Sequence, residues 1–179
     1  MTLSKQTNIK ILALCGIIFV VFDVIMYNLL AALRPGYNQL TDAISLLGAE
    51  GTSNADYASA TFIISGILTI FFAIGLHQGF EEENRNIKSL IFLILFGLFD
   101  SIGSGIFPCD AGCAGETPTG QMHMLVSLVG LISMCLALIF ISKNIKDDER
   151  WSVYHRISKI VAIFIIVIWL TVLFITQVF

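Results

Sequence analysis

Two aspartates, one histidine and a pair of cysteines carry most of the chemistry this sequence can offer. Asp23 and Asp100 each stand inside a long apolar run. An ionised side chain at the bilayer centre costs about 2.5–3.5 kcal/mol on insertion scales, so an acid there is usually paired or serves a ligand, an ion or a proton. The bland alternative is that hydroxyl and amide neighbours satisfy both acids and the acids only lock helices together. His123 follows a polar loop, Ile106-Phe107-Pro108-Cys109-Asp110-Ala111-Gly112-Cys113, which is rich in rigid turn formers and reactive side chains. Its imidazole can act as a general base oriented by Asp100 or Asp110. It can join two carboxylates around a metal, or simply hydrogen-bond its own loop, the reading a lone histidine favours. No metal site is assigned, no cofactor is indicated, and neither HExxH nor GxSxG occurs.

Cys109 and Cys113 are spaced CxxxC, not the CxxC of thioredoxin-like redox proteins. A structural disulfide is the favoured reading, allowed if the Cα atoms come within about 7 Å. Cys15 and Cys135 fall within apolar runs and read as packing residues.

The elements that must position these groups are membrane helices. The chain has 179 residues, is 56% hydrophobic and only 13% charged. Soluble domains carry roughly 25% charged residues. Crossing a bilayer takes about 20 apolar residues, and five such runs are present, near 9–33, 56–80, 87–107, 121–142 and 157–178. None alternates as a strand does, and in lipid only helices or closed barrels satisfy the backbone. The fold class is therefore all-α, a polytopic bundle of five transmembrane helices, with residues 1–179 as one integral-membrane domain. The first run is too long for a cleavable signal peptide and is expected to remain as a helix. No basic stripe suggests nucleic acid.

Lys5, Lys10, Arg85, Lys88, Lys143, Lys146, Arg150, Arg156 and Lys159 fall on one side of this topology, nine of the ten basic residues. Arg34 alone falls on the other. The positive-inside rule then makes the N-terminus cytoplasmic and puts the cysteine loop on the oxidising side. Trp151 and Tyr154 sit where an interfacial anchor is expected. His77 and His155 lie at the cytoplasmic side, away from His123.

At 1.5 Å per residue, Asp23 and Asp100 lie about 21 and 20 Å along their helices, both in the outer half. Asp23 shares a face with Tyr27, with Asn28 one residue round. Asp100 shares one with Ser104, and His123 one with Ser127 and Gly130. An outward-opening polar pocket follows, contacted by Asp23, Tyr27, Asn28, Asp100, Ser104, His123 and Ser127, with Asp42 and Asp110 at its mouth. Between Arg34 and Ala55, Pro35-Gly36 stops the first helix. Thr41–Leu47 reads as a short helix capped by Thr41, lying on the membrane or plugging the bundle mouth. Ser53-Asn54-Ala55-Asp56 reads as a capping box. Gly97, Ser101 and Gly105, four apart, read as a close-packing seam.

Three phrases carry a family resemblance: Asp42-Ala43-Ile44-Ser45-Leu46-Leu47-Gly48, Gly105-Ile106-Phe107-Pro108-Cys109-Asp110, and the following His123. Together they resemble the domain-of-unknown-function 998 family of bacterial and archaeal membrane proteins, over most of the chain. The resemblance implies a multi-pass protein of a prokaryotic cell membrane, usually of six helices, where this sequence shows five. It implies no mechanism. The function expected from the residues is binding of a small or amphiphilic ligand, such as a lipid headgroup, in the polar pocket. The alternatives are a lipid hydrolase or transferase using His123 with Asp100 or Asp110, with or without a metal, and a small proton- or ion-coupled transporter. The expected partners are membrane lipid, that ligand and, in one arrangement, a second copy as a homo-oligomer.

Overall fold

The computed structural model describes residues 3–178, which are mostly helical with no strand among them. Five long helices follow one another: α1 Leu3–Leu33, α2 Ala55–Gly79, α3 Ile87–Ile106, α4 Pro118–Ile145 and α5 Ser152–Val178. All five are long and apolar enough to cross a membrane. Even α3, with 20 residues, advances about 30 Å, the thickness of the hydrocarbon layer. The chain is a multi-pass membrane protein.

The helix starts show why several ends differ from the runs of apolar residues. α4 begins at Pro118 rather than near residue 121. The Thr117 hydroxyl accepts the Gly120 N–H at 3.0 Å, and Pro118 needs no partner for a missing donor. α5 begins at Ser152 rather than near residue 157, because the Asp148 carbonyl accepts from Trp151 and Ser152 at 3.0 and 2.9 Å. The capping box expected at Ser53–Asp56 does not form. Asn54 occupies the cap position but turns its side chain away, and Nδ2 donates to the Leu30 carbonyl at the end of α1 at 3.2 Å. Thr41 caps nothing either. Its hydroxyl is held by Asp42, and the short turn begins later, as a tight 3₁₀ turn over Ile44–Gly48.

Packing is close wherever small residues meet. At the α2–α3 seam, a Cβ on Gly66 would stand 2.5 Å from the Gly97 carbonyl oxygen, so only glycine lets these backbones approach. α1 packs on α2, α2 on α3, α3 on α4 and α4 on α5. Leu30, Ala31, Leu47, Ala58 and Phe62 form one core cluster, near the end that carries the Arg34–Asn54 and Phe107–Thr117 connections. That end is called the loop face below. Ala73, Leu93 and Ala137 form a second cluster nearer the opposite, basic face. Large apolar side chains such as Ile17 and Phe164 point outward, as lipid requires.

One irregularity interrupts α3. Residues Gly97–Gly103 are π-helical, and Asp100 lies in the middle of that segment. The wider turn inserts extra backbone between Phe96 and Ser104, a device common at functional positions.

Candidate functional site

Asp23, Tyr27, Asp100, Ser104, His123 and Ser127 all line one chamber of about 360 Å³. It lies between the two core clusters. α1 contributes Phe19, Asp23 and Tyr27, and α2 contributes Phe62. α3 contributes Phe96, Asp100, Ser101 and Ser104, and α4 contributes His123 and Ser127. Ile44 and Ser45, from the short turn, roof it on the loop face.

Each polar group is set by its helix. Asp23 receives a short hydrogen bond from the Ser65 hydroxyl of α2. Asp100 is held in place through its backbone. Gly130 of α4 presses against it so closely that a Cβ there would stand 2.6 Å from the Asp100 nitrogen and 2.7 Å from its Cα. The Ser104 and Ser127 hydroxyls lie 3.3 Å apart across α3 and α4. The His123 ring is buried, only 5% exposed, and its Nδ1 lies 2.8 Å from the Phe107 carbonyl oxygen. A carbonyl only accepts, so Nδ1 carries the proton and donates. Nε2 is left with its lone pair on a ring that lines the chamber.

Other expected site residues lie elsewhere. Asn28 faces an adjoining space of about 280 Å³ shared with Asp23 and Tyr27. Its amide donates to the Val24 carbonyl at 2.7 Å and accepts from Gln39 at 3.3 Å. Asp42 is outside the chamber. It is fixed by the Asn38 N–H at 3.0 Å and by the Thr41 hydroxyl, which together hold its carboxyl below the usual carboxylate range. Asp110 is also outside. Its carboxylate accepts the N–H groups of Thr117, Gly115 and Glu116 at 2.9, 3.0 and 2.6 Å, with Thr117 the largest cause of a lowered pKa. Those bonds consume it as a staple for the entry of α4. It does not orient His123, whose Nδ1 belongs to Phe107.

Cys109 and Cys113 form a disulfide, with Cα atoms 4.9 Å apart. The turn inside it uses two left-handed residues, Gly112 at φ 77° and Cys113 at φ 53°. The bridge is tied to the chamber roof. Ser45 Oγ lies 3.6 Å from Cys113 Sγ, and the Glu50 N–H donates to the Cys109 carbonyl at 2.8 Å. Among the described residues no three His, Cys, Asp or Glu side chains gather as a metal ion would need.

Sequence reading missed Ser65 and the aromatic walls Phe19, Phe62 and Phe96; of its two readings for the short turn, the structure has the plug, with Ile44 and Ser45 over the chamber. For Ser65 a signal existed: Thr61, Ser65 and Thr69 form a buried hydroxyl stripe at four-residue spacing on α2. Thr61 and Thr69 return their hydrogen bonds to their own helix, while Ser65 reaches across to α1.

A second space adjoins the chamber. Phe19 and Phe96 line both, and below them an apolar groove of about 590 Å³ runs between α1 and α4 over α2 and α3. Arranged this way, the site offers hydrogen-bond acceptors and aromatic faces at one end and hydrocarbon at the other.

Residues 13–178 match the model of a family described as "Protein of unknown function (DUF998)". No curated protein and no solved structure matches the chain.

Proposed function

The chain belongs to the domain-of-unknown-function 998 family, and on that premise we propose that it binds a small amphiphilic molecule, with the polar head in the chamber. One observation carries the reading: two acids from separate helices and a free imidazole nitrogen line a single space of about 360 Å³. That volume falls in the range of ligand pockets, about 300–1,000 Å³. Groups that served only to lock helices would be expected to meet one another and leave no such space.

The loop face is read as external and the basic face as cytoplasmic, in a prokaryotic cell membrane. The distribution of lysine and arginine supports this orientation. It places the disulfide on the side where disulfides persist.

A second reading, hydrolysis or transfer on a lipid, is favoured by one detail. His123 is held in the tautomer that leaves Nε2 free to take a proton, beside the Ser104–Ser127 pair. Asp110 has no part in it, being consumed by its loop. Native mass spectrometry of gently extracted protein tests both readings. Binding predicts a retained small molecule that disappears in Asp100→Asn and His123→Ala. Turnover of a lipid panel, lost in the same variants, would replace binding by catalysis. An empty wild-type protein with no turnover would defeat both.

A further inference from the structure

We propose that the chamber and the groove beneath it hold a single amphiphile whose head is an ammonium group. This rests on the binding reading above and specifies its ligand. The chamber lining includes Asp23 and Asp100 and no lysine or arginine. His123 adds a lone pair and no donor, since its proton is spent on Phe107. An ammonium group brings three donors and no acceptor, which matches the two acids and the imidazole lone pair. A head that is only anionic, with no ammonium of its own, would meet two acids and no cation. The rest of the lining is four aromatic residues, Phe19, Tyr27, Phe62 and Phe96, with four serines and Ile44; cations are attracted to the faces of such rings, and serine hydroxyls can accept from them. The buried imidazole independently points to a ligand, because its inner nitrogen has no protein partner while its ring is fixed against the chamber.

The tail follows from the groove. On α4 one stripe runs from His123 and Ser127 in the chamber to Met134, Leu138 and Ile141 in the groove. From Ser127 to Ile141 the helix advances about 21 Å, enough to accompany a long alkyl chain. The side between α1 and α4 is the way in. α1 packs on α2, and α5 seats against a different stripe of α4 that includes Leu131, Cys135 and Leu136. Ile44 and Ser45 stand over the loop-face end, whereas the groove opens between apolar faces of α1 and α4, so the ligand comes from the bilayer. A tail moving from lipid into this groove gains little, because lipid is equally apolar. Selectivity therefore resides in the head.

The test uses the full chain in nanodiscs of equal parts phosphatidylethanolamine and phosphatidylglycerol, followed by native mass spectrometry. Wild-type protein is expected to retain phosphatidylethanolamine over phosphatidylglycerol by about tenfold or more, the scale of one charge-assisted hydrogen bond. Asp23→Asn and Asp100→Asn are each expected to lower that retention by a similar factor. The wild-type preference stands as a test even if a variant fails to fold. Thermal shifts with dodecylamine and butylamine separate a lipid headgroup from a free alkylamine. Both long-chain ligands are expected to weaken in Leu138→Trp, with butylamine unchanged. Equal retention of the two lipids, lost in the aspartate variants, would overturn the ammonium head and leave the binding reading in place. No retained lipid and no amine shift would overturn both. A dimer that buries the groove and ignores amines would assign the groove to a second copy and overturn the proposal.

Discussion

Replacing Gly130 by alanine is a direct test of how the site is held. The new Cβ would lie 2.6 Å from the Asp100 nitrogen and 2.7 Å from its Cα. Carbon atoms pack comfortably at about 3.5–4.0 Å, so α3 and α4 must separate by roughly 1 Å. The obstacle is the Asp100 backbone together with its Cβ, none of which a rotamer change can swing aside. Overpacking of this kind costs about 1–3 kcal/mol. Alanine returns about 0.8–1.0 kcal/mol of helix propensity over glycine, so overpacking wins through most of its range. The net loss of up to about 2 kcal/mol corresponds to a fall in Tm of up to about 8 °C for a chain of this length. Gly79→Ala is the internal control, because nothing lies within 4 Å of its added Cβ. Thermal unfolding of the two variants in one detergent is the assay. Gly130→Ala should fall below wild type and Gly79→Ala should not. If Gly130→Ala matched or exceeded Gly79→Ala, the claim that α4 clamps Asp100 through its backbone would be wrong.

Three further outcomes are expected. In denatured, unreduced protein a maleimide should label two cysteines, Cys15 and Cys135, and all four after reduction; replacing Cys109 and Cys113 by serine should cost about 2 kcal/mol for a loop this short. The Asp110 carboxyl is held low by the N–H groups of Thr117, Gly115 and Glu116, so its stabilisation is present above its unfolded pKa of 3.8 and is lost as pH falls through the lower folded value; melts between pH 6 and pH 3 should show an acid limb that shrinks in Asp110→Asn. Asn54→Ala should remove the partner of the Leu30 carbonyl and cost about 1 kcal/mol in thermal unfolding, while Asn54→Asp, which cannot donate there, should not restore it.

The bundle was legible because length and hydropathy are summed over many residues. Five runs of apolar sequence become five helices of spanning length whatever their details. The site was legible in part for a related reason. Asp23, Asp100 and His123 are conspicuous in apolar surroundings, and depth along a helix can be counted. What could not be read is where a side chain turns when two partners compete. Asp110 looked like a mouth residue, yet three loop N–H groups outbid the chamber. Asn54 looked like a cap and instead serves the end of another helix. The π-helical segment around Asp100 has no periodicity signature at seven residues. It lies where Gly66, Gly97, Gly103 and Gly130 let three backbones crowd together, a property of the assembled seam.

The order of packing has a consequence for assembly at the ribosome. Each long helix finds its main partner next to it in the chain, so each can be seated as the one after it enters the bilayer. Such local pairing favours rapid folding. The roof breaks this pattern: Ser45 meets Cys109 and Cys113 across separations of 64 and 68 residues. Until the α3–α4 connection has been made, the turn at Ile44–Gly48 lacks that support. The lid is therefore completed later than the α1–α2 pairing beneath it, by a segment made 64 to 68 residues after the turn it holds.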